Sequence, residues 1–167
     1  MAAALGAFLV LALSGCTTPE SPEPTPTPGF SSEEEAFAAA EATYRAYVDA
    51  LNQWHAGSTS SPRPTEFLTG NALESELDTQ NMLGAQGRSI VGTASVARFA
   101  GTNASDDLAK VTAVVCLDVT ESRVLNGEGV DVTPSDRPNV LALEVDFVDL
   151  RGDFAISRSG VAEDQTC

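Results

Sequence analysis

Residues 139–150, which read NVLALEVDFVDL, decide the fold class of this chain. Apolar side chains occupy alternate positions from Leu141 to Phe147, and Glu144 and Asp146 stand between them. Because successive side chains of a strand point to opposite faces, this pattern predicts a strand with one buried face and one solvated face. Such half-buried strands are typical of antiparallel sheets.

Three further segments show the same period of two, at residues 89–100, 109–125 and 154–161. Residues 126–129 (NGEG) predict a turn after the second of them, and residues 151–153 (RGD) predict a tight connection before the last. The second half of the chain is therefore predicted to be a meander of antiparallel strands.

The first half of the domain has the pattern of helices. Residues 32–35 (SEEE) form a capping box, and apolar residues then recur at helical spacing over 36–52. Residues 64–68 predict a helical turn, and 71–83 a further helix. Its inward side chains are predicted to be Leu73, Leu77 and Leu83. Helices followed by strands predict an α+β domain in which the helices pack on one face of a curved antiparallel sheet.

The N-terminus has the features of an export signal. Residues 2–12 are an apolar run that is shorter than the roughly 20 residues needed to span a membrane. The run ends in Leu13-Ser14-Gly15-Cys16, which resembles the lipobox of bacterial lipoproteins. This resemblance implies that the signal is removed and that Cys16 carries the lipid. The protein is then held at the extracytoplasmic face of the cell membrane by acyl chains such as palmitate.

A proline-rich segment follows Cys16. Residues 17–29 contain five prolines among Ser, Thr and Glu, and they have no apolar side chain with which to form a core. Such a segment extends as polyproline II and could span roughly 40 Å. We therefore divide the chain into a signal peptide (1–15), a lipidated and disordered tether (16–31) and an α+β domain (32–167).

The net charge of the chain narrows its possible partners. The chain has 24 acidic and 9 basic residues, a net charge of −15, which argues against nucleic acid as a partner.

If Cys16 carries lipid, Cys116 and Cys167 remain, and an oxidising compartment favours a disulfide between them. That bond would stabilise the fold by about 4 kcal/mol in the chain-entropy model. The alternative is a pair of free, buried thiols.

Three segments carry a resemblance to a known superfamily. Residues 36–52, residues 65–70 (TEFLTG) and residues 115–119 (VCLDV), the last followed by a hairpin, look like the nuclear transport factor 2-like (cystatin-like cone) superfamily. More narrowly, they resemble small actinobacterial lipoproteins of that superfamily. The resemblance implies a strongly bent sheet wrapped round a long helix, often with a pocket inside, and a homodimer in many members.

Some members of this superfamily are enzymes that direct Asp, His or Tyr side chains into the cone. Asp118 shares a strand face with Val114 and Cys116, so it could point inward and is the candidate general base. The alternative is that Asp118 caps a turn or pairs with an arginine such as Arg123. His55, at the predicted end of the first helix, is interpreted as a surface residue.

No other motif in the sequence indicates chemistry. The chain has no histidine pair, cysteine cluster, calcium-loop spacing, phosphate-binding glycine loop or nucleophile elbow, so no metal and no cofactor are predicted. The favoured hypothesis is a non-catalytic envelope lipoprotein that binds a small apolar ligand or another envelope protein. The second is a structural partner that forms a homodimer through its outer sheet face. The third is an isomerase, dehydratase or hydrolase that uses Asp118.

Overall fold

A computed structural model describes residues 29–162 and 164–167 of the chain; Cys16, the predicted signal peptide and almost all of the predicted tether lie outside them. The fold is α+β, with two helices packed against a curved antiparallel sheet, as the sequence predicts. Its elements are α1 (Glu33–His55), a 3-10 turn (Pro64–Phe67), α2 (Gly70–Ala85), β1 (Ser89–Val91), β2 (Ser95–Ala104), β3 (Lys110–Asp118), β4 (Arg123–Leu125), β5 (Val140–Asp149) and β6 (Phe154–Val161).

Helix α1 begins at the predicted cap. Ser32 Oγ accepts a hydrogen bond from the Glu35 amide at 3.2 Å, which satisfies one of the free amides of the first turn. The Glu35 carboxylate accepts bonds from the amide and hydroxyl of Ser31, at 2.8 and 2.5 Å, instead of returning to Ser32 as in a regular capping box. Both cap residues therefore fix the point at which the chain enters the helix.

The main sheet has the strand order β2-β3-β5-β6, with every neighbouring pair antiparallel. The alternation predicted for β5 is confirmed, because Val145 and Phe147 are buried under α1 with Tyr44. Glu144 and Asp146 lie on the outer face, where both form ion pairs with Arg158 of β6 at 2.6 and 2.7 Å. The inner face and the helix thus form one core.

Two of the predicted strands are not continuous in the structure, so the predictions of single strands over 89–100 and 109–125 were wrong. The segment 89–100 is interrupted at Gly92, which has φ +84° and lies so close to the Glu121 carbonyl that a Cβ would be 1.9 Å from its oxygen. The segment 109–125 is interrupted after Asp118 by a turn in which the Ser122 amide donates to Val119 O at 3.0 Å. The short pieces beyond the two breaks, β1 and β4, pair with each other as a separate two-stranded sheet.

Helix α2 packs less deeply than the sequence predicts. Ala72 is buried at its start and Leu73 packs against the core, but Leu77 is 44% exposed, so the prediction that it points inward is wrong. The sheet element that α2 contacts is the edge strand β6, and its contact residues lie in its first turns.

The interior beneath α1 is filled by aromatic side chains. Phe147 packs edge-on against Tyr44, with ring centroids 6.4 Å apart, and also lies 6.0 Å from Phe99. At the start of the described chain Phe30 is buried and stacks on Phe154 at 4.7 Å. Phe30, which precedes α1, thus contributes to the core.

Candidate functional site

A cleft of about 610 Å³ lies between the end of α1 and the part of α2 from Glu76 onward. Leu51, Trp54, Leu83 and Ile90 provide its apolar walls. Its polar and charged side chains are His55, Glu76, Thr79, Gln80, Arg88 and Ser89. A cavity of this size, mostly apolar and carrying a few polar groups, has the character of a small-molecule site.

Helical spacing explains why these side chains converge. Leu51, Trp54 and His55 are three and four residues apart, so they share one face of α1. Residues Glu76, Thr79, Gln80 and Leu83 repeat the same spacing along α2 and form one stripe. The two stripes line the cleft from opposite helices. The cleft is therefore the space between two helix faces that diverge.

A smaller recess of about 150 Å³ adjoins the cleft. Glu76 and Thr79 line both cavities, and Tyr47, Ser75 and Ser159 are the other polar residues of the recess. The side chain of Glu76 is partly buried, and its Oε1 accepts a bond from Gln80 Nε2 at 2.8 Å. Glu76 thus stands at the junction of the two cavities.

The electrostatics of the site depend on burial and on Glu76. Burial lowers the pKa of His55, and the negative charge of Glu76 opposes that shift. Burial raises the pKa of the Tyr47 hydroxyl, and the charge of Glu76 raises it further. At neutral pH, His55 and Tyr47 are therefore uncharged, and Glu76 is the anionic group that influences both.

Trp54 is held in place at the end of α1. The guanidinium carbon of Arg63, in the loop that leads to the 3-10 turn, lies 4.7 Å from the centroid of the indole ring. This is a cation–π contact, which places a positive charge against the ring. Because Trp54 is the only tryptophan of the chain, it is also a natural fluorescent reporter of the cleft.

The similarity of this chain to known proteins is distant. No protein-family model and no curated protein matches the chain. The crystal structure of the intermembrane space region of chloroplast protein ARC6 is similar at a TM-score of 0.46 and 14% identity, covering 72% of this chain and 94% of that one. A proposed polyketide cyclase from Xanthomonas campestris pv. campestris is similar at a TM-score of 0.38 and 16% identity, covering 74% of this chain and 89% of that one. Likeness at this level carries no inference about ligand or partner.

The structure corrects the predicted orientation of Asp118. Its face of β3 is the one that carries Cys116 and Val114, and this is the outer face, opposite the helices, because Val111, Ala113 and Val115 are the residues that pack into the core. Asp118 lies instead beside an open depression of about 210 Å³ at the end of the strand.

The environment of Asp118 fits the alternative role of capping a turn. Its Oδ1 accepts a bond from the Thr120 amide at 2.8 Å, and the hydroxyl and amide of Thr120 together lower its pKa. A carboxylate with a lowered pKa is a poor proton acceptor near neutrality. Arg123 pairs with Asp131 at 3.6 Å rather than with Asp118.

The disulfide between Cys116 and Cys167 is confirmed. The two Cα atoms are 5.7 Å apart, and the bond fastens the last residue of the chain to the outer face of β3. The Arg98 guanidinium also donates to the Thr166 carbonyl at 3.5 Å. The C-terminal residues therefore lie across the sheet face that the helices leave uncovered.

The described residues contain neither a membrane-spanning helix nor a metal-binding cluster. None of the helices in residues 29–162 and 164–167 is long and apolar enough to cross a membrane. In the same residues, no group of three or more His, Cys, Asp or Glu side chains is arranged to hold a metal ion. The predicted lipid site at Cys16 lies outside the described residues.

Sequence reasoning missed the cleft residues Trp54, His55 and Glu76. The sequence predicts His55 to be a surface residue at the end of the first helix, but its side chain is partly buried in the cleft. The available signal was a group of polar residues on one face of α2, Glu76, Thr79 and Gln80. These residues indicate a binding site only when α2 is placed beside the end of α1.

Proposed function

We propose that this protein is a lipoprotein, anchored through Cys16 at the extracytoplasmic face of the cell membrane, whose nuclear transport factor 2-like domain binds a small apolar ligand without transforming it. The single observation that carries the ligand-binding part is the cleft of about 610 Å³ between α1 and α2. Small-molecule sites commonly have volumes of about 300–1,000 Å³ and apolar walls with a few polar groups.

Export to an oxidising compartment has support independent of the N-terminal sequence. Cys116 and Cys167 form a disulfide, and such bonds persist in extracytoplasmic compartments and are rare in the cytosol. The remaining cysteine, Cys16, follows the apolar segment directly and is the residue that the lipobox resemblance assigns to the lipid.

The position of the cleft suits a tethered binding protein. The chain enters the domain at Phe30, beside Phe154, and α1 begins three residues later. The 23 residues of α1 span about 34 Å, and the cleft lies at the far end of that helix. A ligand can therefore reach the cleft without passing the point where the tether joins the domain.

The superfamily proposal is supported by the order and packing of the elements. A long helix packs across the inner face of a four-stranded antiparallel sheet, with a 3-10 turn and a second helix inserted before the strands. Because Tyr44, Phe99 and Phe147 fill the space under α1, the site proposed here lies at the end of that helix.

Binding can be tested with N-phenyl-1-naphthylamine, a dye that is uncharged at neutral pH and fluoresces on apolar surfaces. We expect energy transfer from Trp54 to bound dye, and we expect Leu83→Glu, which places a charge on the cleft wall, to abolish it. Leu77→Glu is the matched control, because Leu77 lies on the same helix and is 44% exposed. Unchanged dye binding in Leu83→Glu, or equal losses in both variants, would contradict the proposal. Cooperative urea unfolding of each variant verifies the fold.

The anchor needs a separate experiment in a bacterial host. Mass spectrometry of the native protein should find acyl groups on an N-terminal Cys16, and the protein should fractionate with membranes. Cys16→Ser should carry no acyl group and should leave the lipidated membrane fraction. An N-terminus elsewhere in the wild-type protein, or an unmodified Cys16, would refute the anchor and leave the cleft proposal untouched.

A further inference from the structure

We propose that the cleft selects ligands in which a protonated amine is attached to an apolar body, and that Glu76 is the residue that recognises the amine. This inference rests on the proposed ligand-binding function of the cleft and adds its chemical class. The structural basis is a partly buried carboxylate at the junction of two cavities, between aromatic walls.

Glu76 has unused capacity to accept hydrogen bonds. A carboxylate has two oxygens with about four acceptor positions, and in Glu76 the Gln80 amide donates to one oxygen. None of the ion pairs within residues 29–162 and 164–167 includes Glu76. A partly desolvated carboxylate without a cationic partner favours a ligand that supplies one, because charge-assisted bonds are stronger than neutral ones.

The aromatic residues next to Glu76 also suit a cation. Trp54 lines the cleft and Tyr47 lines the recess, so each of the two cavities that meet at Glu76 has an aromatic side chain in its lining. Aromatic faces attract cations, but the guanidinium of Arg63 already lies 4.7 Å from the centroid of the Trp54 ring, so Glu76 must supply the main attraction for an amine. The apolar walls formed by Leu51, Leu83 and Ile90 would cover the ligand body.

The remaining charged and titratable groups that line the cleft are Arg88 and His55. Arg88 is exposed, and burial keeps His55 uncharged at neutral pH, so neither neutralises Glu76. An anionic ligand would reach Arg88 at the exposed rim but would meet the charge of Glu76 deeper in the cleft. The net charge of −15 also attracts cations to the molecule as a whole.

Three naphthalene compounds with similar apolar bodies provide the test: 1-naphthylmethylamine, 1-naphthalenemethanol and 1-naphthylacetate. Their binding to the full chain can be measured by equilibrium dialysis at about pH 8, where the amine is protonated and histidine is neutral. We expect the amine to bind at least about tenfold more tightly than the alcohol and the acetate. We expect Glu76→Gln to reduce its affinity to that of the alcohol.

The matched control is Glu74→Gln, an exposed residue of α2 that does not line the cleft; it should leave all three affinities unchanged. The amine inference is overturned if the alcohol or the acetate binds as tightly as the amine. It is also overturned if Glu76→Gln still prefers the amine to the alcohol. Either result leaves ligand binding by the cleft in place. If none of the three binds, the inference fails, and dye binding that is sensitive to Leu83→Glu decides whether the cleft binds ligands at all. The urea midpoint of Glu76→Gln verifies that the variant is folded.

Discussion

The ring of Phe37 in α1 lies directly against the backbone of Gly101 in β2. A Cβ added to residue 101 would be 2.3 Å from Phe37 Cδ1 and 2.4 Å from Cγ, well inside van der Waals contact. The helix and the outermost strand on this side of the sheet therefore approach as closely as they do because residue 101 has no side chain.

Gly101→Ala should lower the free energy of unfolding by about 1–3 kcal/mol, because the added methyl group must displace the Phe37 ring. Gly160→Ala is the matched strand control, since a Cβ at residue 160 meets nothing within 4 Å. Its stability should stay the same or rise slightly. Urea unfolding measures both. In a Phe37→Ala background the cost of Gly101→Ala should fall by more than half, and an equal cost in both backgrounds would contradict this contact.

The disulfide should contribute substantially to stability. It joins residues 51 positions apart, for which the chain-entropy model gives about 4 kcal/mol. Cys167→Ser removes the bond without placing a hydroxyl in the core, because Cys167 is exposed whereas Cys116 is buried. We expect its free energy of unfolding in urea to match that of the reduced wild-type protein, and both to fall about 2–4 kcal/mol below the oxidised protein. A reductant that leaves the wild-type curve unchanged would contradict the prediction.

The N-terminal cap of α1 should make stability depend on pH. Hydrogen bonds from the hydroxyl and amide of Ser31 lower the pKa of Glu35 below its ordinary value of 4.5. A lowered pKa in the folded state means that the ionised group stabilises the fold above about pH 4.5, and that this contribution is lost as the pH falls through the folded pKa.

Glu35→Gln should therefore be less stable than wild type at pH 7, and the difference should shrink as the pH falls below 4.5. Glu34→Gln removes an equal charge from the same helical turn without removing the bonds from Ser31, so it isolates them from the helix dipole. Urea unfolding between pH 3 and 7 gives both curves. Parallel curves for the two variants would show that the Ser31 bonds make no contribution.

The parts of the fold that were predictable depend on local patterns. The alternation in β5 and the cap at Ser32 are properties of neighbouring residues, so both were read correctly from the sequence. The breaks near Gly92 and Glu121 were not, because each turn exists where two distant backbone segments meet. Neither segment alone contains the reason for its break.

The two errors at the candidate sites have a similar cause. Alternation placed Asp118 and Cys116 on one face of β3, but the identity of that face required the strand register, in which Val114 pairs with the outward-facing Glu144. The bond from Cys116 to the exposed C-terminal Cys167 was an available signal that this face is the outer one. The cleft depends on where α2 lies relative to α1, for which the sequence carries no local pattern.

The charge of Glu76 should be detectable at His55. Burial lowers the pKa of His55 below 6.5, and Glu76 holds it higher than burial alone would. Glu76→Gln should therefore lower the pKa of His55 further, because the protonated imidazole loses a nearby negative charge. Glu74→Gln, on an exposed position of the same helix, should leave it unchanged. His55 is the only histidine, so its ring proton resonance can be followed by NMR without ambiguity. An unchanged or raised His55 pKa in Glu76→Gln would show that the two side chains do not share the cleft.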